Sequence, residues 1–195
     1  MALSKNDLRT MIKNLKRAIS PEKKEEEAQT VFDTIEALRA FQNAKSVMLY
    51  ASLPDELPTS DTIKRWSNNK DVYLPRVSGD DIEVVKLDGD MVTGSFGIQE
   101  PQGESVSPEC LDLIIVPAVA LDRHCNRLGR GRGFYDRLLR SSKAFTIGVA
   151  FDVQFVDEVP TEETDVPLCG IVTASHVSFR KSYAAYQAEK RKNQI

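Results

Sequence analysis

Cysteine, histidine and tryptophan are scarce in this chain, at three, two and one among 195 residues. Cys110, Cys125 and Cys169 are odd in number, far apart, and form no Cys-x-x-Cys pair. A disulfide-framed secreted module is thereby excluded, and reduced thiols are expected. The adjacent His124-Cys125 has no spaced second pair to complete a zinc site, so both read as loop residues. No apolar run nears the ~18 to 20 residues that cross a bilayer, and the first residues lack a signal-peptide core. These absences predict a soluble, cytoplasmic protein with no membrane partner.

Two common phosphate loops are missing as well. A Walker loop needs Gly-x-x-x-x-Gly-Lys followed by Ser or Thr, and a dinucleotide fingerprint needs Gly-x-Gly-x-x-Gly on the first strand–helix turn. Residues 127–137 instead read Arg-Leu-Gly-Arg-Gly-Arg-Gly-Phe-Tyr-Asp-Arg. Gly129, Gly131 and Gly133 can take positive φ and bring backbone N–H groups close to a ligand, while Arg130 and Arg132 add charge. The run Leu113-Ile114-Ile115-Val116-Pro117 before them reads as a buried parallel strand, and Phe134 to Arg140 as the start of a helix whose amides favour an anion. The pattern predicts a phosphate site.

Net charge is −3, yet residues 123–143 hold Arg123, Arg127, Arg130, Arg132, Arg137, Arg140 and Lys143 against Asp122 and Asp136 at their edge and within them. Positive charge is therefore local. A small anionic ligand suits it better than nucleic acid, which would more often meet a chain basic throughout.

Along the chain, Leu8, Met11 or Ile12, Leu15 and Ile19 recur at helical spacing, predicting an amphipathic helix over 4–19 with Lys13 and Lys16 on a solvated face. Ser20-Pro21 predicts a capped helix through about Gln42. Strands are expected at 46–51, 72–75, 82–87 with one exposed face, 113–117, 145–151 and around 170–173, with a helix at 59–69, a loop at 94–103 and a frayed charged end at 185–195. The length fits one domain, residues 1–195. Strands alternating with helices predict a three-layer α/β/α sandwich with a mostly parallel sheet. In such sheets ligands gather at carboxyl ends of strands, so the loops at 52–59, 118–133 and 152–165 are expected to meet at one cleft.

Six motifs in order then resemble the 5-formyltetrahydrofolate cyclo-ligase family, also called methenyltetrahydrofolate synthetases. They are Lys5-x-x-x-Arg9; Leu53-Pro54-Asp55-Glu56-Leu57-Pro58-Thr59; Tyr73-Leu74-Pro75-Arg76; Phe96-Gly97-Ile98-Gln99-Glu100-Pro101; Asp112 to Pro117 with Asp122 and Asn126 to Arg137; and Val159-Pro160 through Asp165. The resemblance implies a doubly wound α/β fold and ATP-dependent closure of 5-formyltetrahydrofolate to 5,10-methenyltetrahydrofolate, with magnesium. It further implies that Lys5, Arg9 and the segment Arg127, Leu128, Gly129, Arg130, Gly131, Arg132, Gly133, Phe134, Tyr135 contact ATP. Ala51, Glu56, Phe96 and the stretch from Arg130 to Phe134 would contact the folate, with Arg130 and Arg132 at the reacting groups and Asp136 and Asp165 as magnesium-linked carboxylates. A monomer using small-molecule substrates, with no nucleic acid, is expected.

Read from the residues alone, Asp136 could equally be a helix-start carboxylate paired with Arg137, Glu56 a turn residue, Arg76 a surface arginine, and Phe96, Phe134 and Tyr135 plain core. The chain also departs from the family pattern. Arg132 stands where lysine is common, Phe134-Tyr135 where two tyrosines are, and Leu168-Cys169 where Leu-Asp is, so the late segment offers only Asp165 as a carboxylate. Two other readings are a sugar-phosphate isomerase-like enzyme on a related sheet, which leaves Lys5, Arg9 and Glu56 unexplained, and an RNA-binding module, which the acidic total disfavours.

Overall fold

The computed structural model describes residues 3–89, 91–94, 97 and 99–181. Phe96 and the charged end at 185–195 lie outside them. Helix α1 (Lys5–Lys16) starts at Ser4, whose hydroxyl accepts from the Asp7 N–H, and α2 (Pro21–Ala37) starts at Ser20 with proline in its first turn. Side-chain caps of this kind satisfy N–H groups that a helix start leaves unpaired. The expected single helix to Gln42 is broken. Leu38 is extended and packs on the core, and α3 (Arg39–Asn43) restarts at an angle that sets Phe41 against Trp66 with ring centroids 4.5 Å apart.

The chain continues through β1 (Ser46–Met48), α4 (Ser60–Trp66), β2 (Asp71–Ser78), β3 (Asp81–Lys86), β4 (Met91–Thr93), β5 (Gln99–Pro101), β6 (Ser105–Val106), β7 (Leu113–Pro117), β8 (Ala120–Asp122) and β9 (Arg127–Leu128). It ends with α5 (Phe134–Arg140), β10 (Phe145–Val149), β11 (Phe155–Val156), β12 (Gly170–Val172) and β13 (Val177–Phe179). Eight strands form one sheet in the order β13-β12-β10-β7-β1-β2-β3-β6. The run from β12 to β2 is parallel, and antiparallel strands close both edges.

Both faces of the parallel centre are covered, as continuous apolar runs require. Leu113 and Ile115 of β7 face a core made with Phe32 and Ile35 of α2, whereas Ile114 and Val116 face a second core containing Leu138 and Leu139 of α5. The three-layer α/β expectation therefore holds. On β3, Val84 and Val85 are both buried and Asp81 alone is exposed, so the expected exposed face is absent.

The stretch 118–133 is not simply a loop. Within it β8 and β9 pair with each other, and β8 also pairs with β11, to form a small second sheet. Ala120, Leu128 and Val159 bury Leu8 and Ile12 there, which docks α1 beside the carboxyl end of the main sheet. The segment at 94–103 likewise contains β5, paired with β4.

Asp122 holds the turn that precedes the glycine loop. It is fully buried and accepts from the N–H groups of His124, Asn126 and Val159 and from the Asn126 side-chain amide. Within this turn Cys125 has φ of 65°, and its thiol, which desolvation pushes up to about 11, packs in the second core. Removing the Asp122 carboxylate orphans several buried donors at once. Asp122→Ala should lower unfolding stability by about 3 kcal/mol, read from urea denaturation followed by circular dichroism; a loss below about 1 kcal/mol would show that the turn does not depend on it.

Candidate active site

A cavity of about 930 Å³ opens at the carboxyl end of the sheet. Its walls come from the first turns of α1, the residues after β1, the end of β7, the glycine loop with the start of α5, and the segment at 160–165. The cleft expected from three post-strand loops is therefore present, with residues 160–165 as the contribution of the third.

Arg127 forms the floor. Its side chain is only 5% exposed, its Nη2 donates to Asp136 Oδ2 at 3.1 Å, its Nη1 donates to the Pro117 carbonyl at 3.4 Å, and its guanidinium lies 5.5 Å from the Tyr135 ring centre. One buried cation thus ties the end of β7, strand β9 and the first turn of α5 together. The loop must pass directly over it. A Cβ on Gly129 would lie 2.7 Å from Arg127 Nη1, so any larger residue there would push the guanidinium off its partners. Gly131 has φ of 102°, a conformation that side-chain-bearing residues rarely adopt. Helix α5 then begins at Gly133 with no side-chain cap.

Helix α1 supplies cations from the other wall. Lys5 and Arg9 are one helical turn apart and so share a face. Arg9 Nε donates to the Gly129 carbonyl at 2.9 Å and its guanidinium sits beside Gly131. Lys5 Nζ lies 2.6 Å from Asp165 Oδ2 and 3.3 Å from Glu162. Burial would lower the Lys5 ammonium, but the hydrogen bonds and charges of Asp165 and Glu162 outweigh that and raise it.

Across the cavity Arg130 meets two carboxylates. Its Nη2 lies 2.5 Å from Asp55 Oδ1 and 3.1 Å from Glu56 Oε1, and Nε donates to the same Glu56 oxygen at 3.2 Å. The other Glu56 oxygen accepts from the Leu53 N–H at 3.0 Å, so the carboxylate both closes its own turn and faces the cavity. Ala51 lines the same cavity. Thr59 fixes the base of this loop by donating to the Tyr50 carbonyl and accepting from the Ser52 N–H. Lys16, expected on a solvated face, is instead buried. Its Nζ donates to Asp55 Oδ2 at 2.6 Å and to the Asp55 carbonyl at 2.8 Å. Helical spacing placed Lys16 among charged neighbours but said nothing of the loop that covers it.

Phe134 and Tyr135 line the cavity near the glycine loop. Arg132 and Arg137 lie over the Phe134 ring at 5.9 and 5.6 Å from its centre, within cation–π range. Desolvation pushes the Tyr135 phenol above its ordinary range, and the Glu56 charge adds to that. It therefore stays protonated as a potential donor. Leu128 also faces the cavity. Of the expected contacts, Phe96 alone falls outside the described residues. Arg76 is resolved as structural, bonded to Glu83 across the β2–β3 pair and to the Gly103 carbonyl. Cys169 bonds through its N–H to Thr146, away from the cavity.

Asp136 and Asp165 both border the cavity but hold other partners. Asp136 accepts from Arg127 and from the Val166 N–H, and Asp165 from Lys5 and the Glu162 N–H. Asp136 is paired with Arg127, not with Arg137. Among the described residues no group of three or more His, Cys, Asp or Glu forms a protein-made metal cage. A carboxylate has about four lone-pair sites, so each retains capacity. The set fits magnesium's habit of taking one or two carboxylates and completing its shell with phosphate and water.

The sequence profile of the 5-formyltetrahydrofolate cyclo-ligase family matches residues 2–174. The chain belongs to that family. It is 34% identical over 179 residues to the Escherichia coli 5-formyltetrahydrofolate cyclo-ligase, covering 86% of this chain and 98% of that one. Against the mouse 5-formyltetrahydrofolate cyclo-ligase it is 29% identical over 182 residues, covering 84% and 90%. The solution structure of Aquifex aeolicus 5,10-methenyltetrahydrofolate synthetase superposes with a TM-score of 0.84 at 32% identity, over 92% of this chain and 94% of that one. The chain is thus an enzyme of the cyclo-ligase family with its mixed α/β fold. No helix among the described residues is long and apolar enough to cross a membrane.

The Asp55 carboxyl gives a pH signature. Burial would raise it, but hydrogen bonds from Lys16 and Arg130 hold it below the ordinary carboxylate range. A group depressed in the folded state binds more protons when unfolded, so its stabilisation is present above the unfolded value of 3.8 and lost as pH falls through the folded value. The wild-type unfolding free energy from urea titration should fall more steeply than that of Asp55→Asn between about pH 5 and 3, by less than about 1 kcal/mol for a half-exposed carboxylate. Parallel acid limbs would contradict this.

Proposed function

We propose that the cavity closes 5-formyltetrahydrofolate to 5,10-methenyltetrahydrofolate at the expense of ATP, releasing ADP and phosphate. The observation that supports this most is the convergence of Lys5, Arg9, Arg130, Arg132 and the glycine-loop backbone on a cavity that also presents the Glu56 carboxylate. Its volume is at the upper end for small-molecule sites, in keeping with a nucleotide and a folate side by side.

The chemistry explains the composition. A formamide oxygen is a poor leaving group. Attack of that oxygen on the γ-phosphorus breaks the bond to ADP and forms an iminium phosphate. The folate's second amine then adds to the activated carbon, its proton is lost, and the C–O bond breaks to release phosphate. No protein nucleophile is needed. What is needed is alignment and neutralisation of charge.

Arg130 and Arg132, which line the cavity on the glycine loop, would bridge nucleotide and formyl oxygen, each charge-assisted hydrogen bond contributing about 1.5 to 3 kcal/mol. Lys5 and Arg9 approach the phosphates from α1, with Arg127, Leu128 and the three glycines shaping the cradle. Glu56, which lines the cavity with Ala51, suits the donor edge of a pterin, and Phe134 and Tyr135 offer flat apolar contacts for a heterocycle. Phe96, by family resemblance, joins the folate side. Asp136 and Asp165 are the residues that would hold Mg²⁺, which when bound neutralises phosphate charge. On this reading the enzyme acts on small molecules as a cytoplasmic monomer. No feature of the cavity favours the isomerase-like alternative.

The test is absorbance at the methenyl-folate band after adding purified protein to 5-formyltetrahydrofolate with magnesium, with and without ATP. An ATP-dependent rise is expected. Arg132→Ala and Asp136→Asn should each lower turnover by about 100-fold or more with the circular dichroism spectrum retained. No rise in the folded wild type, or full activity in both variants, would overturn the reading.

A further inference from the structure

Lys16 lies beneath the cavity and outside its lining, at the last position of α1, and is only 7% exposed. Burial of a lysine is costly unless it is paired, and this one is spent on a single residue, Asp55, through both its carboxylate and its carbonyl. The remaining Asp55 oxygen takes Arg130. From the bonds Lys16–Asp55–Arg130–Glu56 we infer that Lys16 is a positioning residue that keeps Arg130 available to the ATP phosphates. The inference rests on the ATP-dependent reading above.

The argument is one of charge and geometry. Arg130 faces two carboxylates, Asp55 and Glu56. Two negative charges on one guanidinium would hold it against the loop and in competition with any anionic ligand. Lys16 brings the four-group cluster to neutrality and, by occupying Asp55 Oδ2, leaves only Oδ1 for Arg130. A free Asp55 would present both oxygens to the fork of Arg130, the strongest geometry an Arg–carboxylate pair can adopt. As arranged, the two carboxylates hold the Nε and Nη2 edge of the guanidinium, and the Nη1 side is left to face a phosphate. Lys24 offers the contrast. It donates to the Pro54 carbonyl and so pins the same loop, but it bonds no carboxylate there.

The experiment measures ATP affinity of the full chain by titration calorimetry, with steady-state kinetics in parallel. Lys16→Met is expected to weaken ATP binding and raise the KM for ATP by about tenfold, with kcat changed by less than about threefold. Lys16→Arg should restore the wild-type values, and Lys24→Ala should leave them unchanged. Added to Asp55→Asn, Lys16→Met should have no further effect, because the residue acts through that carboxylate. Unchanged ATP affinity in Lys16→Met, or the same tenfold loss in the Asp55→Asn background, would overturn the inference. If Lys16→Met fails to fold, Lys16→Gln is compared with Lys16→Arg under the same two criteria. Failure of the wild type to bind ATP would instead overturn the ATP-dependent reading itself.

Discussion

The buried guanidinium of Arg127 is the contact on which the site depends. It joins the end of β7, strand β9 and the start of α5 through the Pro117 carbonyl and Asp136, and the glycine loop is shaped by having to cross it. A side chain at Gly129 would press on that guanidinium and displace it from its partners. A charge in this position is expensive unless paired. Asp136 supplies the pair, which explains why a carboxylate follows directly on the loop's aromatic residues. The same carboxylate borders the cavity, so fold and candidate site share one interaction.

Around that floor two of the cavity's cations are held by neighbouring carboxylates, Lys5 by Asp165 and Glu162 and Arg130 by Asp55 and Glu56. The arrangement keeps several like charges within one cleft without leaving them unbalanced. It also means that an anionic ligand competes with internal partners, and affinity then depends on how strongly each partner holds its cation. Phosphoryl transfer asks for charge that is positioned in advance and not rearranged during the reaction. A network of ion pairs that cross-links the glycine loop, α1 and the two acidic loops meets that demand.

Much of this was legible in the sequence. The apolar run of β7, the glycine loop, the start of α5 and the capped start of α2 are local patterns, and each was found where the sequence placed it. The motifs of the family resemblance also named Lys5, Arg9, Glu56, Arg130 and Arg132, and the fold brings all five to one cavity. What stayed hidden depends on contacts distant in the chain. Strands β8, β9 and β11 are two or three residues long and have no period to read, so their small sheet looked like loop. The break at Leu38 has neither glycine nor proline to mark it. Lys16 carried no signal separating it from exposed Lys13, since only the loop at 52–59 folding over it makes the difference.

The central claim is that the γ-phosphoryl group of ATP passes to the formyl oxygen within this cavity. The direct measurement uses 5-formyltetrahydrofolate labelled with heavy oxygen at the formyl group and follows the phosphate released by phosphorus-31 NMR. Transfer onto that oxygen, followed by C–O cleavage, predicts that the label appears in inorganic phosphate at one atom per turnover. Methenyltetrahydrofolate formed with unlabelled phosphate would contradict the account, because the C–O bond would then have been broken without the formyl oxygen ever having been phosphorylated.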